Sequence, residues 1–298
     1  MVVKTLDAMG WGGLFDDEHG GFYHYAAGAD WSAPHTAKRL DGNAALIRLY
    51  LDAGAALGIA RFTNRAADAL RYVQTWLADP VDGGWYGAQH AGDDYYGASK
   101  AARAGMTPPP VARLMFADST AAMVSTALHA AAVFDDDGLR QFAITSLERV
   151  LLACYKPGDG VSHYSDGQRR CRGLLADQVA MAAACLDAHE VTGNVVYEMM
   201  AEELMHFAVR TVWDEAGGGF FDRAARVEDA APEIGLLRMR MRPFVENCSA
   251  ASVLKRLSAA SADHEFARLA DRTLAAMAPL AGVQGPLAAH YLLAWRSS

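Results

Sequence analysis

The histidines of the chain are the first residues whose chemistry suggests a function. His35 lies in one short stretch with Lys38 and Asp41. An imidazole with an ordinary pKa of about 6.5, placed beside a carboxylate, can move a proton next to a carbonyl group. Alternatively, His35 hydrogen-bonds the loop backbone and Lys38 is solvated. His90 and His163, from equivalent loops, are weaker candidates for binding the same substrate.

A second group of polar residues recurs at a constant offset from repeated turn signals. Its members are Asn43, Thr120, Gln178 and Asn247. Acidic residues stand just before them, at Asp41, Asp118, Asp177 and Glu246. If these groups gather at the starts of neighbouring helices, they would line a concave pocket for a ligand rich in hydroxyls. The competing interpretation is that Asp and Asn near helix starts are helix caps.

Aromatic side chains accompany the polar groups. Trp31, Trp85, Tyr86 and Tyr95 could stack on sugar rings, although packing of the loops onto the helices explains several of them equally well. The motifs of serine hydrolases, zinc proteases, P-loop proteins and dinucleotide-binding proteins are absent from the sequence. We therefore expect no cofactor and no metal site.

The composition indicates that helices position these groups. The 298 residues include 59 alanines, the best helix former, whereas strand-favouring residues are used sparingly. Helical segments recur in pairs around tight turns, which indicates a duplicated unit. Asp41, Asp118 and Asp263 mark helix starts, and Gly193 marks a helix end. The predicted pairs are 42–58 with 62–78, 117–134 with 138–154, 174–192 with 195–212, and 246–260 with 264–278.

Long glycine-rich connections alternate with the tight turns. Three carry a hairpin signature of two glycines and two aromatics, at 20–23, 83–86 and 218–221, and 159–164 is a decayed fourth copy. This alternation predicts an all-α fold, an α/α toroid with short hairpins on its loop face. We expect a single domain over 1–298 with about ten helices, the segments 1–12 and 285–296 helping to close the ring. A complete six-hairpin barrel has twelve helices, so the ring is expected to be incomplete.

Charge and cysteine content exclude several classes of protein. The balance of 27 basic and 35 acidic residues gives a net charge of −8 without a basic run, which argues against nucleic acid as a partner. No apolar stretch is long enough to span a membrane, and the N-terminus lacks a signal-peptide core. Cys154, Cys171, Cys185 and Cys248 are widely spaced, which indicates free thiols in a reducing compartment. We therefore expect a cytoplasmic protein.

Several motifs resemble those of a known family. They lie at 14–16, 20–25, 30–31, 34–35, 38, 41–44, 83–89, 175–178, 218–221 and 246–249. In this order they resemble the C-terminal region of proteins that carry a thioredoxin-like domain followed by a six-hairpin glycosidase-like barrel, among them spermatogenesis-associated protein 20. Related toroids include N-acylglucosamine 2-epimerases, cellobiose 2-epimerases and aldose–ketose isomerases. The resemblance therefore implies histidine acid–base chemistry on open-chain sugars.

The chain also departs from the family pattern. The family usually has Phe-Glu where this chain has Thr36-Ala37, and its Asp-Ala-Asp loop is here His90-Ala91-Gly92. Ser119-Thr120 stands in place of a Trp-Asn pair. The thioredoxin-like domain and the first barrel helix are also missing. A separate thioredoxin-like chain or a second copy of this chain is therefore a candidate partner.

Three functions remain open from the sequence. The first is a sugar isomerase or epimerase, in which His35 is the general base or acid and one of the four acidic residues orients it or serves as the second acid. The substrate would be held by Trp31, Lys38, Asn43, Trp85, Tyr86, His90, Thr120, His163, Gln178 and Asn247. The second is a glycoside hydrolase with two carboxylates about 5–5.5 Å or 6.5–9.5 Å apart. The third is a non-catalytic domain that binds a small sugar-like ligand or a partner.

Overall fold

The computed structural model describes residues 1–225, 235, 239–261 and 264–296. The chain divides into two compact units, Met1–Arg149 and Val150–Ser298, and the boundary falls inside a helix. Within the described residues, none of the helices combines the length and the apolar character that a bilayer crossing requires.

The first unit is built on three long helices and their glycine-rich connections. Its helices are α1 (Val2–Trp11), α2 (Leu40–Leu57), α3 (Ala60–Tyr72), α4 (Asp93–Tyr96), α5 (Lys100–Arg103), α6 (Ala117–Phe134) and the first part of α7 (Asp137–Cys154). A π-helical turn at Val73–Leu77 extends α3. Its short strands are β1 (Tyr25–Ala26), β2 (Pro34–His35), β3 (Lys38–Arg39), β4 (Ala88–Gln89) and β5 (Val111–Ala112). All of these strands pair antiparallel, β1 with β2 and β4 with both β3 and β5.

The second unit repeats the same plan. It contains the end of α7, the antiparallel sheet β6 (Tyr155–Lys156), β7 (Gly160–Ser165) and β8 (Arg169–Arg172), and then α8 (Leu175–Thr192) and α9 (Val195–Val212). It continues with α10 (Phe244–Ser261), α11 (His264–Ala281) and α12 (Ala288–Arg296), which a 3₁₀ turn at Gly285–Leu287 precedes. Phe244, Cys248 and Ala251 of α10 pack on Leu274 and Met277 of α11.

With the π-helical turn at Val73–Leu77 counted as part of α3, the predicted helices are confirmed to within three residues at each end. The tight turns end their helices as expected, because Gly58 and Gly193 adopt left-handed conformations with φ of 65° and 70°. Asp41 and Asp118 each accept a backbone N–H in the first helical turn, at 2.8 and 2.6 Å. Asp263 lies outside the described residues.

The number of helices also agrees with the sequence. Ten α-helices of nine or more residues occur in the described part of the chain, and α4 and α5 are additional single turns in the long connection at 79–116. Alanine lets paired helices approach closely, as at Ala44 and Ala127, which are fully buried in α2 and α6. These two helices pack against each other, and the Thr126 hydroxyl of α6 donates to the Ala44 carbonyl at 3.2 Å.

The glycine-glycine segments form closed turns. Antiparallel bridges join Phe15 to Phe22, Ala78 to Trp85 and Trp213 to Phe220. Both glycines of each pair have φ between 73° and 85°, a conformation that L side chains rarely adopt. The fourth copy is the β6–β7 turn, where Gly158 and Gly160 take over these conformations.

Candidate functional site

Three of the recurring polar residues act as clamps on the hairpins. Asn43, the fourth residue of α2, is 1% exposed, accepts from the backbone N–H of Phe22 at 2.7 Å and donates to the Phe22 carbonyl at 3.0 Å. The same two bonds join Gln178 to Val161 (2.8 and 2.8 Å) and Asn247 to Phe220 (2.7 and 2.9 Å). Each amide is fully engaged with buried backbone. The structure thus gives these residues a structural role in place of the expected binding of ligand hydroxyls.

The second hairpin is held differently. Thr120 takes the clamp position in α6 but is too short, and its buried hydroxyl has no hydrogen-bond partner among the described residues. Instead, the Ser146 hydroxyl of α7 accepts from the Gly84 N–H at 2.8 Å. Trp85 is completely buried and meets Phe142 edge-on at 5.0 Å, so it packs the hairpin and does not offer a face to a sugar.

An aspartate that was not among the predicted site residues opens each of the three glycine-glycine turns. Asp16, Asp79 and Asp214 each accept from the backbone N–H two residues further on. A cation contacts both this carboxylate and the carbonyl of the first glycine, namely Lys38 (2.6 and 2.7 Å), Arg149 (2.9 Å to the carboxylate) and Arg242 (3.4 and 3.3 Å). The signal was available, because each aspartate stands four residues before the first glycine.

In the second turn, a neighbouring tyrosine also bonds the aspartate. The Tyr86 hydroxyl donates to Asp79 Oδ2 at 2.8 Å. This bond and the contact with Arg149 hold the pKa of Asp79 well below its ordinary value. Tyr86, expected to stack on a sugar, is therefore tied to the turn through its hydroxyl.

The first turn is the most deeply buried of the three. Lys38 is fully buried, and its Nζ lies 4.3 to 5.1 Å from the ring centres of Tyr23, Tyr72 and Tyr96. Burial lowers the pKa of Lys38 to about 8, while Asp16 partly offsets the loss. Lys38 is thus a buried ion-pair partner and not the exposed substrate contact that the sequence suggested.

A second cation joins this ion pair. Arg103 contacts both carboxylate oxygens of Asp16 at 2.9 Å and donates to the Tyr96 carbonyl at 2.6 Å. Burial opposes ionisation of Asp16, but the charges of Lys38 and Arg103 hold its pKa below the ordinary value. Beside this network lies a cavity of about 680 Å³, lined by Asp16, Tyr23, Thr36, Asp93 and Arg103 among others.

The stretch around His35 does not assemble into an acid–base pair. His35 is exposed on β2 and stacks on Tyr25 with ring centres 5.2 Å apart, and its ring has no hydrogen-bond partner within the described part of the chain. Asp41 is instead paired with Arg39 at 2.5 Å. Trp31 is half-buried in a turn with φ of 65°, and His90 is exposed. Asp118 and Glu246 are half-buried in the first turns of α6 and α10.

Two of the predicted residues do form an acid–base pair, in the second unit. His163 Nδ1 lies 2.9 Å from Asp177 Oδ1. The Asp177 side chain is fully buried, whereas 28% of the His163 side chain is exposed. A carboxylate in this position orients the imidazole and stabilises its protonated form.

The fold positions this pair through the clamp of the fourth hairpin. Asp177 and Gln178 are the third and fourth residues of α8, and Gln178 holds Val161 of β7 two residues before His163. The pairing of Ser162 with Arg172 fixes the strand on its other side. The Cys154 thiol is buried nearby, and burial and the charge of Asp177 together raise its pKa to about 11.

Sequence comparison with known proteins finds similarity over only part of the chain. No protein-family model matches the chain. A Caenorhabditis elegans protein, described as the uncharacterized protein B0495.5, is 31% identical over 97 residues. This match covers 30% of the present chain and 12% of the worm protein, so the chain spans a small part of that relative's length.

Solved structures are similar over most of the chain. A cellobiose 2-epimerase from Bacillus thermoamylovorans superimposes with a TM-score of 0.71 and 12% identity, covering 92% of this chain and 69% of its own. A D-mannose isomerase superimposes with a TM-score of 0.68 and 13% identity, covering 91% of this chain and 67% of its own. An α-1,6-mannanase from Salegentibacter was solved with α-1,6-mannotriose. It superimposes with a TM-score of 0.65 and 12% identity, covering 92% of this chain and 69% of its own. These similarities confirm that the chain has the α/α-toroid fold of the six-hairpin glycosidase-like barrels.

Proposed function

We propose that the chain is a carbohydrate isomerase or epimerase in which His163 moves a proton next to the sugar carbonyl and Asp177 orients it. The observation that carries this proposal is the 2.9 Å contact between a fully buried carboxylate and a partly exposed imidazole. The fold supports it, because proteins of this fold include a cellobiose 2-epimerase and a D-mannose isomerase.

The chemistry requires a base that removes a proton from carbon and an acid that returns one. With an open-chain aldose, His163 Nε2 removes the proton on C2, and the electron pair of the broken C–H bond forms an enediolate. Asp177 stabilises the imidazolium that results. Protonation of C2 on the opposite face by a second acid gives the epimer. Return of the His163 proton to C1, with transfer of the O2 proton to O1, gives the ketose. Glu246, which lies in the same compact unit as His163, is a candidate for this second acid.

Two other functions are outcomes of the same assay. Glycoside hydrolysis needs two carboxylates, whereas the pair observed here joins a carboxylate to an imidazole. A non-catalytic domain would bind a sugar without converting it. After incubation with the chain, D-mannose, D-glucose, D-fructose, cellobiose and mannotriose are analysed by chromatography. A new isomer indicates an isomerase or epimerase, shorter sugars indicate a hydrolase, and no change indicates a non-catalytic domain.

Variants test the assignment of residues. We expect His163→Gln to lower the rate of the conversion about 100-fold or more, since a positioned general base contributes at least that much. Asp177→Asn should lower it as well. His90→Gln, which removes an exposed imidazole outside the pair, is the matched control and should leave the rate unchanged. Wild-type turnover in His163→Gln would contradict the proposal.

We also propose that the chain is related to the family that joins a thioredoxin-like domain to a six-hairpin barrel. The motifs shared with that family and the barrel fold support this relation. A separate thioredoxin-like chain or a second copy would then be its partner. Sedimentation equilibrium of the purified chain, alone and with such a thioredoxin-like chain, tests both possibilities.

The cysteines support our proposal of a reducing compartment, the cytoplasm. All four are free thiols, and three of them are buried. Burial raises the pKa of Cys185 to about 12, so this thiol stays protonated and unreactive. Localisation of a tagged chain tests the compartment. That residues 1–298 form one domain also remains our proposal, which predicts a single cooperative unfolding transition.

A further inference from the structure

The second unit contains a cavity that the proton transfer does not use. Its volume is about 470 Å³, and it lies beside the end of α7, the strand β7 and the β7–β8 connection. Its polar lining consists of Lys156, Ser162, Ser165, Gln168, Arg169 and Arg172. All of these side chains can donate hydrogen bonds.

The charge of this cavity is opposite to that of the chain. The whole chain carries −8, yet all three ionisable residues of the lining are cations. Asp159 lies outside the lining and contacts two of them through one oxygen, Lys156 Nζ at 2.5 Å and Arg172 Nη1 at 2.7 Å. Arg169, which contacts neither Asp159 nor any other carboxylate that the structure describes, adds a third positive charge to the lining.

The shared carboxylate also brings the cations together. Because Lys156 and Arg172 contact the same oxygen atom of Asp159, their charged ends lie side by side. The hydrogen bond from Lys156 and the charge of Arg172 hold the pKa of this carboxyl below its ordinary value, so it stays ionised at neutral pH.

The third cation is available for a ligand. Arg169 is exposed, and its Nη2 makes one long contact of 3.4 Å with the Leu152 carbonyl. It forms no ion pair with any residue that the structure describes. A guanidinium presents several N–H groups in a planar fork, which matches two oxygens of one anion.

A buried hydroxyl completes the donor set. Ser162 is 1% exposed and lines the cavity, and its pairing with Arg172 places the two residues opposite each other across the strands. We propose that this cavity binds a tetrahedral oxyanion, phosphate either free or as the ester of a small metabolite. The site needs no proton transfer by His163, so it goes beyond the proposed function and does not depend on it.

Isothermal titration calorimetry with inorganic phosphate at low ionic strength tests this site. We expect saturable one-site binding to the wild-type chain. Arg172→Gln and Arg169→Gln should each weaken it about tenfold, the loss of one charge-assisted hydrogen bond to an anion. Arg170→Gln is the matched control: this arginine lies on the same strand, pairs with Asp166 at 3.2 Å and is not part of the lining, so the affinity should stay unchanged.

A variant that is expected to strengthen phosphate binding distinguishes an effect on binding from damage to the fold. Asp159→Asn removes the carboxylate that competes for Lys156 and Arg172, so phosphate should bind several-fold more tightly. Titration of mannose 6-phosphate and of mannose then identifies the source of the anion. Binding of the ester with little binding of free phosphate assigns a sugar phosphate; equal binding shows that the phosphate group suffices. Absence of saturable phosphate and ester binding, or an equal loss in Arg170→Gln, would overturn the site.

Discussion

The first and fourth hairpins of the chain are held by the same device. In the first, Asn43 of α2 bonds both backbone groups of Phe22. In the fourth, Gln178 of α8 does the same for Val161. Both clamps are the fourth residue of their helix and are almost fully buried.

The two hairpins differ in the charged groups beyond the clamp. In the first, Asp16, Lys38 and Arg103 are all enclosed and satisfy one another. In the fourth, Asp177 is enclosed but its partner His163 is partly open to solvent. The charges of the first network are paired with one another, whereas a buried acid behind an accessible imidazole can pass a proton to a ligand. The same scaffold thus carries a closed ion-pair network in one repeat and the proposed proton-transfer pair in another.

The largest effect is expected in the closed network. Asp16→Asn should lower the free energy of unfolding by about 3–5 kcal/mol, because two buried cations lose their carboxylate. Asp214→Asn is the matched control in the third turn, where 40% of the Arg242 side chain is exposed and the loss should be below about 1 kcal/mol. Urea denaturation of both variants measures the difference. Equal losses would show that burial of the first turn does not matter.

The clamps come next in size. Asn247→Ala should lower the free energy of unfolding by about 2–4 kcal/mol, because the buried N–H and carbonyl of Phe220 lose their partners. Thr120→Val, at the same helix position, should be neutral or stabilising by up to about 1 kcal/mol, since the lost hydroxyl has no partner within the described residues. Thermal denaturation distinguishes the expected loss of stability in Asn247→Ala from the unchanged or increased stability in Thr120→Val. A destabilised Thr120→Val would contradict the comparison.

The smallest effect is the pH dependence that comes from Lys38. Its pKa is about 8 in the folded chain, against an ordinary value of 10.5. Between these values the unfolded chain binds more protons, so the contribution of Lys38 to stability rises with pH. Relative to Lys38→Met, the wild-type chain should gain on the order of 1–3 kcal/mol between pH 8 and pH 10.5. Parallel stability curves of the two proteins would refute the lowered pKa.

The sequence was sufficient for the helices and hairpins. Turn signals such as Gly193 and the glycine pairs are local, and their regular spacing carries the repeat. The single-turn helices α4 and α5 escaped prediction, because four residues are too few to show a helical period.

The site was only partly predictable. Constant spacing marked Asn43 and Asn247, but the same spacing serves a ligand pocket and a backbone clamp. Arg103 was missed because it meets Asp16 across 87 residues, and no local pattern encodes such a contact. Asp177 and His163 were both named, but their pairing depends on how the clamp sets strand β7 against helix α8.

Hydrogen exchange at C2 of an aldose tests the proposed proton transfer by His163 most directly. Each aldose of the panel is incubated in D₂O, and ¹H NMR follows the loss of the C2 proton signal of its reducing sugar. D-fructose has no proton on C2 and is followed at C1. We predict exchange by the wild-type chain, a rate at least about 100-fold lower in His163→Gln, and an unchanged rate in His35→Gln. Exchange at the wild-type rate in His163→Gln, its loss in His35→Gln, or no exchange by the wild-type chain on any sugar would contradict this prediction.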